Sequence, residues 1–258
     1  MSLEHIVLIL LLAFVCELID SSLGMLYGTI LSPVLIIVGY DPLIVVPSIL
    51  LSQAASSLLA SFRHKQFKNI ELYEKKGEKK KLSQDSKVII LIGLSGIVTT
   101  IIAAFIAVSI PKQALKIYIG ALVLVMGVIL LIKTKYKFSW NKIFVVGVIS
   151  AFNKAISGGG FGPVVTTGQI ISGRPVKKSI ASTLFAEFPI CIAGFITYLI
   201  LNGLSDWNLV IYTSIGALLA AYVGPYITSR IKSEKKLILA LGIIVTLLGI
   251  WTILKTIL

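Results

Sequence analysis

Apolar residues form ten segments along the chain, arranged as two sets of five. The first set covers 5–23, 29–39, 43–62, 87–108 and 113–132; the second covers 141–157, 163–173, 179–201, 208–229 and 236–257. A helix needs about 20 residues to cross the hydrocarbon core, so the last three segments of each set are long enough to be transmembrane helices. The second segment of each set is only about half that length and cannot span the core alone.

A glycine-rich break separates the first two segments of each set. It reads Ser22-Leu-Gly-Met-Leu-Tyr-Gly28 in the first set and Ser157-Gly-Gly-Gly-Phe-Gly-Pro163 in the second. Such a break between apolar segments indicates a hairpin that enters the membrane, breaks and returns to its own side. The pattern predicts an all-α integral membrane protein with two inverted repeats, each a glycine-broken re-entrant hairpin followed by three transmembrane helices.

An offset of 134 residues aligns the two sets. It pairs Gly24 with Gly158, Gly28 with Gly162, Gly39 with Gly173, Ser48 with Ser182, and Gln53 with Glu187. We predict a first repeat over 1–132, with its hairpin at 5–39, and a second over 133–258, with its hairpin at 141–173. Three crossings after each hairpin invert the second repeat relative to the first, as in many secondary transporters. Two independent halves that share glycines by chance are the alternative.

Basic residues concentrate on one side of this predicted arrangement. Twenty of the 24 Lys and Arg residues lie in four loops, 63–87, 133–142, 174–178 and 230–236. Three others, Lys112, Lys116 and Lys255, lie on the opposite side. The positive-inside rule therefore predicts that the four loops are cytoplasmic and both termini outside, in a multi-pass protein of the plasma membrane. The longest loop, 63–87, is expected to be solvated and partly ordered, with contact to anionic lipid head groups as the alternative.

Composition excludes most soluble classes of protein. Of the 258 residues, 57% are hydrophobic and 14% are charged, and the mean hydropathy is +0.98. Soluble domains carry about 25% charged residues. The chain is therefore neither a soluble enzyme nor a nucleic-acid-binding domain, despite its net charge of +13. Cys16 and Cys191 lie in apolar segments, which favours small buried side chains over a disulfide.

The two glycine breaks are candidate anion sites. Glycine lets the backbone approach a ligand, and the short helix after each break directs the positive end of its dipole and free N–H groups at the break. The candidate residues are Gly24, Gly28 and Thr29 in the first break, and Ser157, Gly158, Gly159, Gly160 and Phe161 in the second. Close packing of helices through small residues is the alternative interpretation.

Charged residues inside the apolar segments supply the other candidates. Lys154 lies four residues before the glycine run, beside Asn153, and a charge at this depth indicates function. It is predicted either to attract an anion or to pair with Glu17, Asp20 or Glu187. Because an apolar environment favours a protonated carboxyl group, the same three acids are candidates for proton coupling. Interhelical hydrogen bonds are the alternative role for these acids.

Gln53 and Ser182 are further candidate donors to a ligand oxygen, although hydroxyl groups in membrane helices mostly bond their own backbone. The sequence contains no Walker loop, H-E-x-x-H, G-x-S-x-G or CxxC motif. We therefore predict no catalytic residues, no metal site and no cofactor.

The glycine motifs Gly24-Met-Leu-Tyr-Gly28 and Ser157-Gly-Gly-Gly-Phe-Gly-Pro163 resemble those of the TauE/SafE sulfite exporter family. The resemblance extends to Gly39-x-x-Pro42, the Ser/Gln-rich helix that follows, and Phe62-Arg63-His64-Lys65. It implies a multi-pass plasma-membrane permease for sulfite, thiosulfate, sulfoacetate or other sulfonates, without an ATP-binding domain.

Together these features predict a secondary transporter for a small sulfur-containing anion. The anion is expected between the two hairpin tips near the midplane, with possible proton coupling. Its expected partners are this anion and membrane lipid, without nucleic acid, and a homo-oligomer is left open. A passive anion channel and a non-transporting membrane partner protein are the alternatives.

Overall fold

The computed structural model describes residues 3–76, 79–131, 139–203, 206–230 and 235–257. Its elements within these ranges are α1 Leu3–Leu23, α2 Tyr27–Val38, α3 Pro42–Gln66, β1 Tyr73–Lys76, β2 Lys79–Leu82, α4 Gln84–Ser109, α5 Lys112–Leu131, α6 Trp140–Ser157, α7 Phe161–Ile171, α8 Val176–Asn202, α9 Trp207–Arg230 and α10 Lys235–Ile257. The helices agree with the ten predicted segments to within a few residues.

Within the described residues, α1, α3, α4, α8 and α9 are long and apolar enough to cross a membrane. The prediction of a helical, multi-pass membrane protein is therefore confirmed. The helix α1, predicted as the first arm of a hairpin, has 21 residues and the length and hydropathy of a membrane span. The predicted spans 113–132 and 236–257 form α5 and α10, which border on residues outside the described ranges.

Glycine contacts define how α1 lies against its neighbours. Gly216 of α9 packs against Ala13 and Gly224 packs against Ser21, so α1 and α9 run parallel. Arg63 of α3 donates to the carbonyl of Tyr222, and α3 also packs along α9 in the same direction. Because α1 and α3 both run parallel to α9, the short helix α2 between them returns the chain to the end where α1 begins.

The second half packs in the same way. Gly147 of α6 lies against Ile92, and Gly96 of α4 against Ala151, so α4 and α6 run parallel. Gly194 of α8 lies against Thr100, and α8 also packs along α4. The helix α7 therefore returns the chain to the end where α6 begins. The helices α5 and α10 pack antiparallel to each other beside the two short helices, and α3 and α8 meet at the centre.

The 63–87 loop contains a feature that the all-α prediction misses. Strands β1 and β2 form an antiparallel hairpin, with Tyr73 paired to Leu82 and Lys76 to Lys79. Both strands are rich in lysine and lack the alternation of apolar and polar residues that identifies a half-buried strand. Their pairing could therefore not be inferred from the hydrophobic pattern.

A buried ion pair joins the first turn of α4, which follows this hairpin, to the loop before α8. Arg174 donates to Asp85 at 2.5 Å, and both side chains are about 5% exposed or less. The other Asp85 oxygen accepts from the Glu71 N–H, and Lys178 pairs with Glu71 at 3.1 Å. Burial lowers the pKa of Arg174, and the Asp85 carboxylate raises it in opposition; an arginine remains charged in either case.

Replacing Asp85 by alanine is expected to destabilise the protein by about 3–5 kcal/mol, because it leaves the buried Arg174 charge without a partner. The measurement is the thermal unfolding midpoint of the purified protein in detergent. Lys178→Ala is the comparison: this side chain is 36% exposed and pairs with Glu71 at 3.1 Å and with Asp85 at 3.7 Å. Because pairs of a partly exposed lysine are worth about 1 kcal/mol at most, its loss of stability should be clearly smaller. Equal decreases in the unfolding midpoint of the two variants would contradict a stabilising role for the buried Arg174–Asp85 ion pair.

Candidate functional site

A connected polar network lies at the centre of the helix bundle. Gln53 of α3 donates its amide N–H to Asp20 of α1 at 3.1 Å. Lys154 of α6 forms an ion pair with Glu187 of α8, with 3.0 Å between Lys154 Nζ and Glu187 Oε1. Lys154 also donates a hydrogen bond to the side-chain oxygen of Gln53. All four side chains are at most 2% exposed. Of the pairing partners that the sequence left open for Lys154, the structure has Glu187 in direct contact.

The members of this network occur in pairs at the 134-residue offset. Asp20 corresponds to Lys154, and Gln53 corresponds to Glu187. Each half therefore supplies one group next to its glycine break and one group from its following long helix. The pairing of Asp20 with Lys154 is visible in the sequence once the offset is known, and the comparison of glycine motifs alone overlooked it.

Glu17 lies one turn before Asp20 in α1 and is completely buried. Neither of its carboxylate oxygens has a hydrogen bond of good geometry among the described residues; the nearby Ser56 hydroxyl donates to the Gln53 backbone carbonyl. It is close enough to Asp20, Glu187 and Lys154 to interact with them electrostatically. A buried polar group without a hydrogen bond is costly, so an unpartnered carboxylate beside a charged network requires an explanation.

The two glycine breaks contact each other directly. A Cβ atom on Gly28 would collide with the Gly158 carbonyl, and one on Gly159 would lie 2.7 Å from the Thr29 nitrogen. On the other side, a Cβ atom on Gly162 would lie 2.5 Å from the Gly24 carbonyl oxygen. Glycine is therefore required where the tips cross, because no other residue permits this approach of two backbones.

Backbone conformation repeats between the breaks. The dihedral φ is positive at Gly24 (70°) and Leu26 (98°), and at Gly158 (74°) and Gly160 (78°), the positions 134 residues later. Leu26 thus adopts the left-handed region that favours glycine, in the half whose motif has fewer glycines. The chain turns at the same two positions of each break.

Backbone N–H groups at the breaks have protein partners in this arrangement, although they were expected to be free. Gly160 donates to the Thr29 hydroxyl and Gly159 to the Ser157 hydroxyl, both at 3.0 Å. The Tyr27 N–H, at the beginning of α2, donates to Asp20 Oδ1 at 3.2 Å. Protein oxygen atoms therefore occupy positions at which the oxygens of a bound anion could accept the same bonds.

The remaining predicted residues divide into those near the network and those away from it. Asn153 precedes Lys154, and its side-chain oxygen Oδ1 accepts a hydrogen bond from the Tyr118 hydroxyl at 2.5 Å. Phe161 belongs to an apolar cluster between α4, α6, α7 and α8. Ser182 donates to Gln169 and to its own helix, so its recorded hydrogen bonds form a separate polar cluster with α7.

Sequence reasoning missed several side chains that hold the breaks. Tyr118 on α5 contacts Asn153, and the Tyr27 hydroxyl bonds Ser52 at 2.8 Å. His64 Nε2 bonds the Ser21 carbonyl at 3.0 Å, and the Tyr198 hydroxyl donates to the Ala155 carbonyl at 2.8 Å. These last two contacts are again equivalent at the 134-residue offset, which is the signal that would have identified them.

Among the described residues, no group of three or more His, Cys, Asp or Glu side chains is placed to hold a metal ion. The three central acids lie next to Lys154, a cation supplied by the protein itself. Cys16 and Cys191 are buried and free.

Comparison with known proteins agrees with this architecture. The sequence model of the family described as sulfite exporter TauE/SafE matches residues 9–252. A protein of Bacillus subtilis (strain 168) named "Probable membrane transporter protein YtnM" is 25% identical over 268 residues, which cover 96% of this chain and 84% of that relative. The resemblance drawn from the glycine motifs is confirmed. The chain belongs to the TauE/SafE sulfite exporter family, a family of membrane transporters rather than enzymes.

Proposed function

We propose that the protein is a secondary transporter that moves a small sulfur-containing anion, such as sulfite, thiosulfate or an organosulfonate, across the plasma membrane. The observation that carries this proposal is the buried network at the contact of the two glycine breaks, with Lys154 as its cation. A charge is retained at this depth of an apolar bundle at considerable cost, which favours a functional role. The family name indicates the sulfur oxyanion as its counterpart.

In this proposal, residues 1–132 and 133–258 are inverted repeats, and α1–α2 and α6–α7 are re-entrant hairpins. Three observations support it: the matching positive φ angles, the parallel packing of α1 with α9 and of α6 with α4, and the return of the chain by α2 and α7. The high Lys and Arg content of four loops indicates that they are cytoplasmic, namely 63–87, 133–142, 174–178 and 230–236. Both termini then lie outside. Exposed apolar side chains along the long helices then face lipid or a second copy.

The anion binds where Lys154 meets the glycine run. The anion replaces Glu187 as the partner of Lys154. It also accepts the hydrogen bonds of the Gly159 and Gly160 N–H groups, whose acceptors without an anion are the Ser157 and Thr29 hydroxyls. Gln53 orients the lysine by accepting its hydrogen bond, and Asn153, held by Tyr118, offers an amide to the anion. Rocking of one repeat against the other then exposes this site to the two sides of the membrane in turn.

Glu17 is the proposed proton carrier, with Asp20 and Glu187 as its charged neighbours. A carboxyl group without a hydrogen-bond partner can gain and lose a proton without disrupting an existing bond. Glu17→Gln is expected to keep an anion current but lose its stimulation by a pH gradient, measured with protein reconstituted in liposomes. Glu4→Gln, an exposed acid at the start of the same helix, is the matched control. If a pH gradient stimulates the anion current of Glu17→Gln as much as that of the wild type, Glu17 is not the proton carrier.

The proposed function is tested by currents on a solid-supported membrane, with sulfite, thiosulfate, sulfoacetate and chloride applied to reconstituted protein. A saturable current for one of the sulfur anions is expected. A linear current shared with chloride would instead indicate a passive anion channel. No current for any anion, with folded protein verified, would contradict transport of this class of substrate and favour a membrane partner protein.

A further inference from the structure

A cavity of about 510 Å³ lies at the end of the molecule where α2 and α10 end and α5 begins. Its polar lining consists of Lys112, Gln113, Lys116, Thr252, Lys255 and Thr256. The backbone at 36–39, the last turn of α2, forms the rest of its wall. We refer to this space as the basic cavity.

The distribution of lysine makes the basic cavity unusual. Four basic residues of the sequence lie outside the four basic loops. One is Lys154, and the other three are Lys112, Lys116 and Lys255. All three line this one cavity. In the proposed orientation this end of the molecule faces outside, where Lys and Arg are normally scarce. Membrane topology therefore does not explain why three lysines meet there, whereas attraction of an anion does.

The local contacts leave the cavity with an excess of positive charge. Lys112 pairs with the Asp41 carboxylate, and Lys255 donates to the Ile37 carbonyl at the end of α2. Lys116 lies one turn after Lys112 on the same helix. Because α5 begins at Lys112, the positive end of its dipole also points into this region. Among the described residues that line or contact the cavity, three lysines face one carboxylate, and the positive end of α5 opposes the negative ends of α2 and α10.

The helix α5 connects the basic cavity with the glycine run of the second break. Tyr118 follows Lys116 by two residues, and its hydroxyl bonds Asn153, the neighbour of Lys154. One turn further, Leu122 lies 3.1 Å from the position of a Cβ atom on Gly160. Six residues of helix from Lys116 to Leu122 span about 9 Å. The cavity therefore lies a short distance from the proposed binding site.

We propose that the basic cavity is a vestibule that binds the sulfur oxyanion electrostatically before it moves along α5 to Lys154. This inference rests on the proposed transport function and adds a second, more exposed anion site to it. The chemistry recognised is a compact oxyanion of charge −1 or −2, which phospholipid head groups share. A vestibule of this kind increases the local concentration of substrate and should govern apparent affinity rather than maximal rate.

The electrostatic part of the proposal can be tested without transport. In a background with Cys16→Ala and Cys191→Ala, Gln113→Cys places a thiol in the cavity, and Asn202→Cys places one at the exposed end of α8. Each thiol is treated with a sulfonate-bearing and a trimethylammonium-bearing methanethiosulfonate. The rate with the sulfonate reagent divided by the rate with the trimethylammonium reagent is expected to be about tenfold or more higher at position 113 than at position 202. This ratio is expected to fall at position 113 when Lys116 is replaced by glutamine. Equal ratios at the two positions would overturn the proposal.

The transport part compares two triple variants with the same loss of charge. Lys112, Lys116 and Lys255 are replaced by glutamine in the first, and the exposed Lys65, Lys81 and Lys87 in the second. The first variant is expected to raise the half-saturating sulfite concentration several-fold, with the maximal current unchanged, whereas the second leaves both unchanged. Lys116→Gln alone, which breaks no recorded contact, should show a smaller shift in the same direction and keeps the test valid if the triple variant fails to fold.

Liposomes of different composition identify the occupant. The shift is expected both in phosphatidylcholine and in mixtures with phosphatidylglycerol. If the half-saturating sulfite concentration of the triple variant shifts only with phosphatidylglycerol, the lysines bind lipid head groups and the proposal is overturned. A half-saturating concentration that is unchanged in both lipids also overturns the proposal. If the wild type itself shows no sulfite current, the proposed function fails, and the thiol rates then decide separately whether the cavity attracts anions.

Discussion

Replacing Lys154 by methionine is expected to destabilise the protein by about 3–5 kcal/mol, because it leaves buried carboxylates without their counter-ion. The ammonium group is the counter-ion of Glu187 at 3.0 Å and a hydrogen-bond donor to Gln53. Without it, Glu17, Asp20 and Glu187 remain together in the bundle with no cation next to them. The measurement is the unfolding midpoint in detergent, with methionine chosen to preserve the length and packing of the side chain.

A second substitution separates the loss of charge from the loss of packing. The double variant Lys154→Met and Glu187→Gln removes both members of the ion pair and is expected to recover most of the lost stability, because replacing a complete buried pair is often nearly neutral. A Lys154→Met protein as stable as the wild type would contradict the ion pair. Equal losses in the single and double variants would assign the effect to packing.

Replacing Gly28 by alanine is expected to prevent the two glycine breaks from meeting and to abolish transport. The new Cβ atom would collide with the Gly158 carbonyl, which belongs to the backbone and cannot rotate away as a side chain can. Overpacking of this kind costs about 1–3 kcal/mol or more. Thermal unfolding and sulfite current measure the two consequences.

Gly93→Ala is the matched control for this substitution. Gly93 lies within α4, and a Cβ atom there would meet its nearest neighbour, Pro189 Cγ, at 3.9 Å, an ordinary van der Waals distance. Because alanine has the higher helix propensity by about 1 kcal/mol, this variant should be at least as stable as the wild type. A Gly28→Ala protein that matches it in stability and current would show that the breaks tolerate separation.

Most of the helix boundaries could be predicted because apolar length is fixed by the thickness of the membrane. The short helices α2 and α7 follow from their lengths and from the glycines before them. The partner of α1 could not be predicted. The sequence makes α1 the first arm of a hairpin, and the structure adds that α1 packs beside α9 and has the length of a full crossing.

The candidate site was predictable in its residue types but not in its connections. The sequence identified Lys154 and its three possible acidic partners, and only the packing of α6 against α8 selects Glu187. Likewise, the glycine run was expected to let the backbone approach a ligand, whereas in the structure Gly159 and Gly160 approach the opposite break and donate to Ser157 and Thr29. Such choices depend on side-chain directions between distant segments, which a hydrophobic pattern does not contain.

The role of Lys154 in anion binding is tested by the sulfite current of the Lys154→Met and Glu187→Gln double variant, reconstituted after its fold has been verified. Because Lys154 is proposed to bind the anion, the folded double variant is expected to carry no saturable current, next to a saturable current in the wild type. A double variant that carries sulfite with wild-type half-saturation and maximal current would show that the anion crosses without Lys154 and would overturn the proposed binding site.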